Sequence, residues 1–540
     1  QFKIKIKMAF IRAALLGVLL TLSYTWVVDY GGLELARSSF DRYWVWILDV
    51  AMEVSGAEAP AAEEKVPAHY IRAREVERIK WEPEDAFAAH LAELGRPVVL
   101  TNTVISKWPA VRNWRENSYL RSHAPTLPSV WNQSGAAGAT FVPWRLVEEM
   151  PTRLVVESQR CAIRMHETSM ARFLSTAAEH LAAEAAADAA AAAAVADASD
   201  AAAAPAAEAV GKGTKGATEY LYYTDDLSFF PRLDLDSSPR DFLKFRDRGI
   251  PNETHFDSQS MVWFAHPSVT AQPHYDLSHN FFAQVRSSKL IMLFSPEQSE
   301  RLYFNPRLHP AHRQSQVDFD APNLTRYPRF RGLTTLIVTL EPGELLYIPP
   351  FWAHRVESSA DDVTISVSVI SPSEIEARWG SINRKWPEQF EEDFKTPGSK
   401  IVAARILIET VLRAVLGLTP AGGGDDDVAE FMAALLETRY APILPQLTPF
   451  MQLNPRKFKC LRSKAALHKR IEPKALAIAE PLAVHFARAI GGNGVSAAVR
   501  TILLRDYIED TLASVVEPND VPVLIANCWP AAVVEAKTSV

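Results

Sequence analysis

The segment QPHYDLSHNFFAQV begins at Gln272 and sets His274 and Asp276 two residues apart, ahead of an aromatic, apolar run. Residues i and i+2 of a strand share one face, so this imidazole and carboxylate converge where an apolar pair would stabilise better. A non-haem iron(II) prefers two histidines and one carboxylate on one face, with the opposite positions open. The third ligand should then be a histidine on a neighbouring strand. The segment EPGELLYIPPFWAHRVES supplies His354. Its Pro342-Gly343 pair has the residues of a type II turn, ELLYIP can climb from it as a strand, and His354 follows in a second short strand.

These residues need a rigid frame. From Tyr220 to Ile370 the pieces MVWFAH, FFAQV, KLIMLF, TLIVTL, ELLYIP and VTISVSV are β-branched or aromatic-rich and divided by turn residues. That spacing predicts an all-β barrel or sandwich. Lys289 opens KLIMLF between apolar runs, at the reach of a carboxylate held in such a barrel. Upstream, residues 64–177 alternate helix-like and strand-like pieces, including a helix over 82–94 and the strand RPVVL. Residues 178–218 collapse into alanine with a few acids, an exposed insertion or linker with some helix in it. After Ser371 the chain turns helical; Arg405, Glu409 and Arg413 draw one polar stripe on an otherwise apolar helix.

A chain of 540 residues with 48% apolar and 22% charged residues is globular in composition. Its formal charge of -7 supplies no global basic field for nucleic acid. Cys161, Cys460 and Cys528 are far apart, which argues against a disulfide scaffold and a cysteine metal site. Lys3, Lys5, Lys7 and Arg12 precede an uncharged apolar run over 13–28, so residues 8–32 are expected to form a signal anchor or a cleaved leader. No small-x-small cleavage site follows closely, which favours the anchor. The rest of the chain would then lie in the lumen of the secretory pathway, single-pass, with a secreted form as the alternative.

Together, HYDLSHNFFAQV with its spaced lysine, HRQSQVDFD and EPGELLYIPPFWAHRVES resemble the JmjC/cupin-like oxygenases that depend on Fe(II) and 2-oxoglutarate. The likeness is greatest to the branch containing the asparaginyl hydroxylase of hypoxia-inducible factor. It implies a mainly β fold: a double-stranded β-helix (jelly-roll or cupin) core over 219–372, N-terminal α/β elements over 64–177 and a helical region over 373–540. It implies His274, Asp276 and His354 as iron ligands and Lys289 as the partner of the far 2-oxoglutarate carboxylate. Tyr220 would assist that lysine, Asn280 would stand beside metal and co-substrate, and Arg313 and Gln314 would meet a peptide backbone. The implied reaction takes O2 and 2-oxoglutarate, with ascorbate in support, releases succinate and CO2, and hydroxylates a polypeptide side chain. An apolar helix like that over 401–418 is usually core, with a homodimer through the C-terminal helices as the sharper reading. The alternatives are a JmjC demethylase, an RNA-modifying oxygenase, or a cupin binding module without turnover. Three positions depart from the family: Ala271 for a threonine, Ser287 for a hairpin glycine and Ser368 for an asparagine. His255, His266 and His279 are expected to be structural.

Overall fold

Period-two alternation of apolar and polar residues builds two sheets that share one core. The computed structural model describes residues 71–81, 91, 95–135, 140–141, 164–198, 218–237, 259–382, 387–418, 424–453, 460, 465–492 and 494–530. The anchor expected over 8–32, most of the helix expected over 82–94, His255 and residues 199–217 lie outside them. All of the described residues belong to one compact unit, Val66–Val540. Among them, no helix is long and apolar enough to cross a membrane.

The strands are Arg72–Glu75 (β1), Arg78–Lys80 (β2), Val98–Thr101 (β3), Thr126–Gly135 (β4), Thr140–Phe141 (β5), Arg164–Ser169 (β6), Thr218–Asp226 (β7) and Gln259–Ala265 (β8). Thr270–Tyr275 (β9), His279–Arg286 (β10), Lys289–Phe294 (β11), Thr334–Leu340 (β12), Leu345–Ile348 (β13), Ala353–Ser358 (β14) and Thr364–Ser371 (β15) follow. One sheet runs in the order β1-β12-β11-β14-β9-β5, the other β2-β3-β13-β10-β15-β8-β7-β4-β6. Most neighbours are antiparallel; β1 on β12, β2 on β3 and β5 on β9 are parallel.

Side-chain alternation sorts these strands into layers. Ala271, Ile291, Leu293, Val338 and Val356 of the first sheet pack with Val99, Phe282, Leu346 and Ile348 of the second. The other face of the second sheet, with Phe281, Ala283, Val285, Ile365 and Val367, packs on Trp114, Leu120 and Phe173 of the N-terminal part. The fully buried strand β10 therefore gives alternate residues to two cores. Its partner β15 turns Ser366 and Ser368 the other way from Ile365 and Val367.

The helices used below are Met170–Ala198 (α1), Pro397–Leu416 (α2), Ala465–Ile490 (α3), Ala497–Ala513 (α4) and Val521–Cys528 (α5). Helix α1 docks through Met170, Phe173, Leu174, Ala177 and His180, whereas Ala182 and Ala183 are already exposed. Helical residues outnumber strand residues among the described elements, so the expectation of a mainly β protein is not met. The β core is cupin-like, but the C-terminal helices are long and share a core with the first sheet. The cysteine reading is also corrected. Cys460 and Cys528 form a disulfide, because helix packing brings Cα atoms 68 residues apart in sequence to 4.9 Å.

Candidate metal centre and its cavity

Register places the histidines. Strands β9 and β14 are antiparallel neighbours in which His274 stands directly opposite His354. Asp276 follows the end of β9, and its carbonyl accepts from the Phe351 amide at 2.7 Å, which ties it to the turn ahead of β14. The three side chains offer ligand atoms that all lie within 4.8 Å of one another. His354 Nε2 is 3.9 Å from Asp276 Oδ2, and the imidazole centroids are 4.3 Å apart. Neighbouring ligands on a metal with bonds of about 2.1 Å stand about 3 Å apart, so a small inward adjustment closes the triad on an ion.

The donor set is prepared for that ion. His274 Nδ1 is 2.7 Å from the Gln272 carbonyl, and His354 Nδ1 is 3.2 Å from the Trp352 carbonyl. A carbonyl only accepts, so each Nδ1 carries the proton and each Nε2 keeps its lone pair for the metal. Burial, with the His274 imidazole beside it, holds His354 down at about 4, against the pull of Asp276. It is therefore neutral at pH 7, the form that ligates.

The triad lines a cavity of about 260 Å³. Lys289 lines it too, for a reason visible in the strand: residues 289, 291 and 293 share the inward face of β11. Its Nζ lies 5.4 Å from the centroid of the Phe282 ring. Among the described residues no carboxylate pairs with it, and burial lowers the amine to about 7. A buried cation without an anion is costly unless a ligand supplies one.

The remaining expected residues divide. Asn280, Arg313 and Gln314 line the cavity, and Gln314 bridges to His274 across the strand edge. Asn280 keeps a buried Oδ1 with no hydrogen bond among the described residues. Tyr220 is not in the lining; it packs on the His180 ring at 4.5 Å. Two residues along the same face, Tyr222 takes a place in the cavity wall. Trp263 also enters, stacked on Tyr222 at 5.8 Å, and its indole N–H donates to Ser368 Oγ at 3.0 Å. Sequence reasoning missed Tyr222, Trp263 and His312, although counting by twos from Tyr220 would have reached Tyr222. Ala271 and Ser368, two of the departures, do line the cavity. His279 and His266 lie outside the lining; Nδ1 of His279 meets Tyr347 Oη at 2.8 Å, and Nε2 of His266 meets the Phe173 carbonyl at 2.9 Å.

Comparison with known proteins agrees with this geometry. A family described as a cupin-like domain matches residues 83–369. JmjC domain-containing protein D of Dictyostelium discoideum is 29% identical over 150 residues, 27% of this chain and 34% of that protein. Lysine-specific demethylase JMJ31 of Arabidopsis thaliana is 30% identical over 148 residues, 26% of this chain and 27% of that protein. The tRNA wybutosine-synthesizing protein 5 of Mus musculus is 30% identical over 150 residues, 27% of this chain and 46% of that protein. The matches thus span between about a quarter and a half of the relatives' own lengths.

Proposed function

The chain belongs to the cupin-like domain family, and on that premise we propose that it is an Fe(II)- and 2-oxoglutarate-dependent oxygenase that hydroxylates a polypeptide side chain. One observation carries the reading: a His-Asp-His set and a buried lysine with no carboxylate partner among the described residues face one cavity. When bound, the iron supplies oxygen activation coupled to oxidative decarboxylation of the co-substrate. The chain's own residues do the rest. His274, Asp276 and His354 would hold the metal on one side, which leaves the opposite side to co-substrate and O2. Lys289 would take the far carboxylate, with Tyr222 rather than Tyr220 as the nearer cavity hydroxyl. Arg286 does not compete for that role, because Asp362 and Asn117 already engage its guanidinium.

A polypeptide substrate, as in the asparaginyl hydroxylase branch, is favoured over a nucleic acid. Among the described cavity residues only Lys289 and Arg313 are lysine or arginine. A nucleic acid would need a series of cations along its phosphates. The catalytic unit is further proposed to be luminal, anchored by residues 8–32; the cationic flank suits that orientation and the Cys460–Cys528 disulfide suits an oxidising compartment. Protease protection of the unit in sealed vesicles tests this, and digestion without detergent rejects it. A homodimer through the C-terminal helices draws support from sequence alone, since α2 buries its apolar residues within the chain.

The deciding experiment is anaerobic addition of Fe(II) and 2-oxoglutarate, followed by succinate measurement under air with ascorbate. The reading expects the weak visible charge-transfer band of the chelate and succinate formation, both lost in His354→Ala. Iron binding without either signal would favour a binding module.

A further inference from the structure

The stretch 307–316, which carries Arg313 and Gln314 into the cavity wall, is held from two sides. On one side it lies along β9: the Ser315 amide donates to the Pro273 carbonyl at 2.8 Å and the Tyr275 amide to the Arg313 carbonyl at 3.3 Å. On the other side it meets a buried polar network from the C-terminal helices. Asp506 Oδ2 on α4 accepts from His312 Nε2 at 3.2 Å, and Asp506 Oδ1 accepts from Arg439 Nη1 at 2.7 Å. Arg439 also donates to Glu509 at 2.8 Å, and its carbonyl accepts from Gln316 Nε2 at 2.8 Å. Glu509 in turn accepts from the Arg307 amide at 2.5 Å.

Protonation is settled by donors. Arg307 Nη1 approaches His312 Nδ1 at 3.2 Å and can only donate, so His312 is neutral and its Nε2–H points at Asp506. Burial pushes Asp506 up, but the Arg439 and Arg307 charges and the hydrogen bond from the His312 Nε2–H outweigh it and leave the carboxylate ionised. Fully buried charges are an expensive way to attach helices to a barrel, because apolar contacts would do it at lower cost. What the network adds is direction, and its contacts converge on a stretch that lines the cavity. Within that stretch Arg313 holds φ at 70°, a backbone state that a non-glycine residue keeps only when its surroundings enforce it.

We propose that Asp506 is a positioning residue: acting through His312, it fixes Arg313 and Gln314 against the metal-bearing strand, so that α4 forms part of the substrate side of the site. The proposal rests on the oxygenase reading only in calling that wall substrate-facing.

The test is hydrogen exchange on the full chain, comparing wild type with Asp506→Asn, Asp506→Glu and His312→Gln. Exchange in the stretch 307–316 and at the Tyr275 amide should rise about tenfold or more in Asp506→Asn, the loss of one charged hydrogen bond, while α2 and α4 stay protected. His312→Gln should loosen the same amides by less, because its amide can still donate to Asp506. Asp506→Glu should restore most of the protection. Unchanged exchange in 307–316 would overturn the proposal. So would a uniform rise across α4, which would make the network a general anchor. Wild-type protein that forms no succinate would instead count against the oxygenase reading, and the exchange result would still decide this one.

Discussion

A buried lysine with no carboxylate partner among the described residues makes the sharpest demand at the scale of single residues. Lys289 is 2% exposed, and burial lowers its amine to about 7 from an ordinary 10.5. Between those values the unfolded chain binds more protons, so ligand-free stability should rise with pH from about 7 towards 10.5 and show the full burial cost below about 7. The co-substrate dependence runs the other way. A dicarboxylate binds the protonated amine, so its affinity should be full below about 7 and weaken as pH rises beyond it, by at most about tenfold per unit. Calorimetric titration of Fe(II)-loaded protein with 2-oxoglutarate across that window measures the slope. Lys289→Met should stabilise the ligand-free barrel by about 1 kcal/mol or more, since it removes a buried charge. It should also abolish the rise in Tm that 2-oxoglutarate gives wild type; a rise that persists would move the carboxylate site elsewhere. The candidate metal ligands were legible because chemistry restricts such residues to few types. Tyr222 and Trp263 were not, because an aromatic ring in a strand is equally at home in a core, and only packing tells which face opens on a cavity.

Turn chemistry sets the register of the elements that carry these residues. Gly343 sits at φ 93° in the turn opened by Pro342, and an added Cβ would come 3.2 Å from Ser106 Cα. Gly343→Ala should therefore destabilise by more than about 1 kcal/mol, read as a lower Tm, because strain and contact act together. Ser287 is the opposite case. It holds φ at 55° in the hairpin that leads into β11, a state that costs a non-glycine residue about 1 kcal/mol. Ser287→Gly should recover much of that cost without altering 2-oxoglutarate affinity, and a lower Tm would show that the serine stabilises the hairpin in some other way. The sequence made the Pro342-Gly343 turn and six strand runs legible, because proline, glycine and β-branched residues act locally; the Ser287 hairpin was expected only from the family resemblance. Ligand chemistry called for β14 beside β9, but its register was not legible. That pairing joins residues 80 apart and depends on which faces the whole barrel buries.

Whole-molecule cohesion corrects the expectation of a β domain with helices appended. Tyr275, Phe294, Phe351 and Ala353, from the strands and turn around the triad, share one continuous core with Val402, Leu407, Val411, Phe486, Leu503 and Ile508 of α2, α3 and α4. Alternation explains the arrangement: His274 points into the cavity, so its neighbour Tyr275 must point out of the sheet and needs a cover. The helices were legible from their apolar faces, but their partner was not, because periodicity says that a face is buried and not against what. The Cys460–Cys528 bond closes 68 residues of this cover, a loop whose closure entropy is worth roughly 4 kcal/mol. Cys528→Ser should lose up to that amount, and full retention of Tm in reductant would show that the bond is idle. A stronger consequence follows for truncation. Residues 219–372 hold every proposed ligand, yet ending the chain after Ser373 would expose Tyr275, Phe294 and Phe351 together and remove Asp506 from His312. Each buried aromatic contributes on the order of 2 kcal/mol, so three exposed at once approach the net stability of an ordinary domain. The truncated chain should aggregate or lack a cooperative melt, and its iron affinity should fall with the fold. A truncated chain that melts cooperatively and binds iron as the full chain does would mean that the strand layer is stable alone, and that the shared core is dispensable.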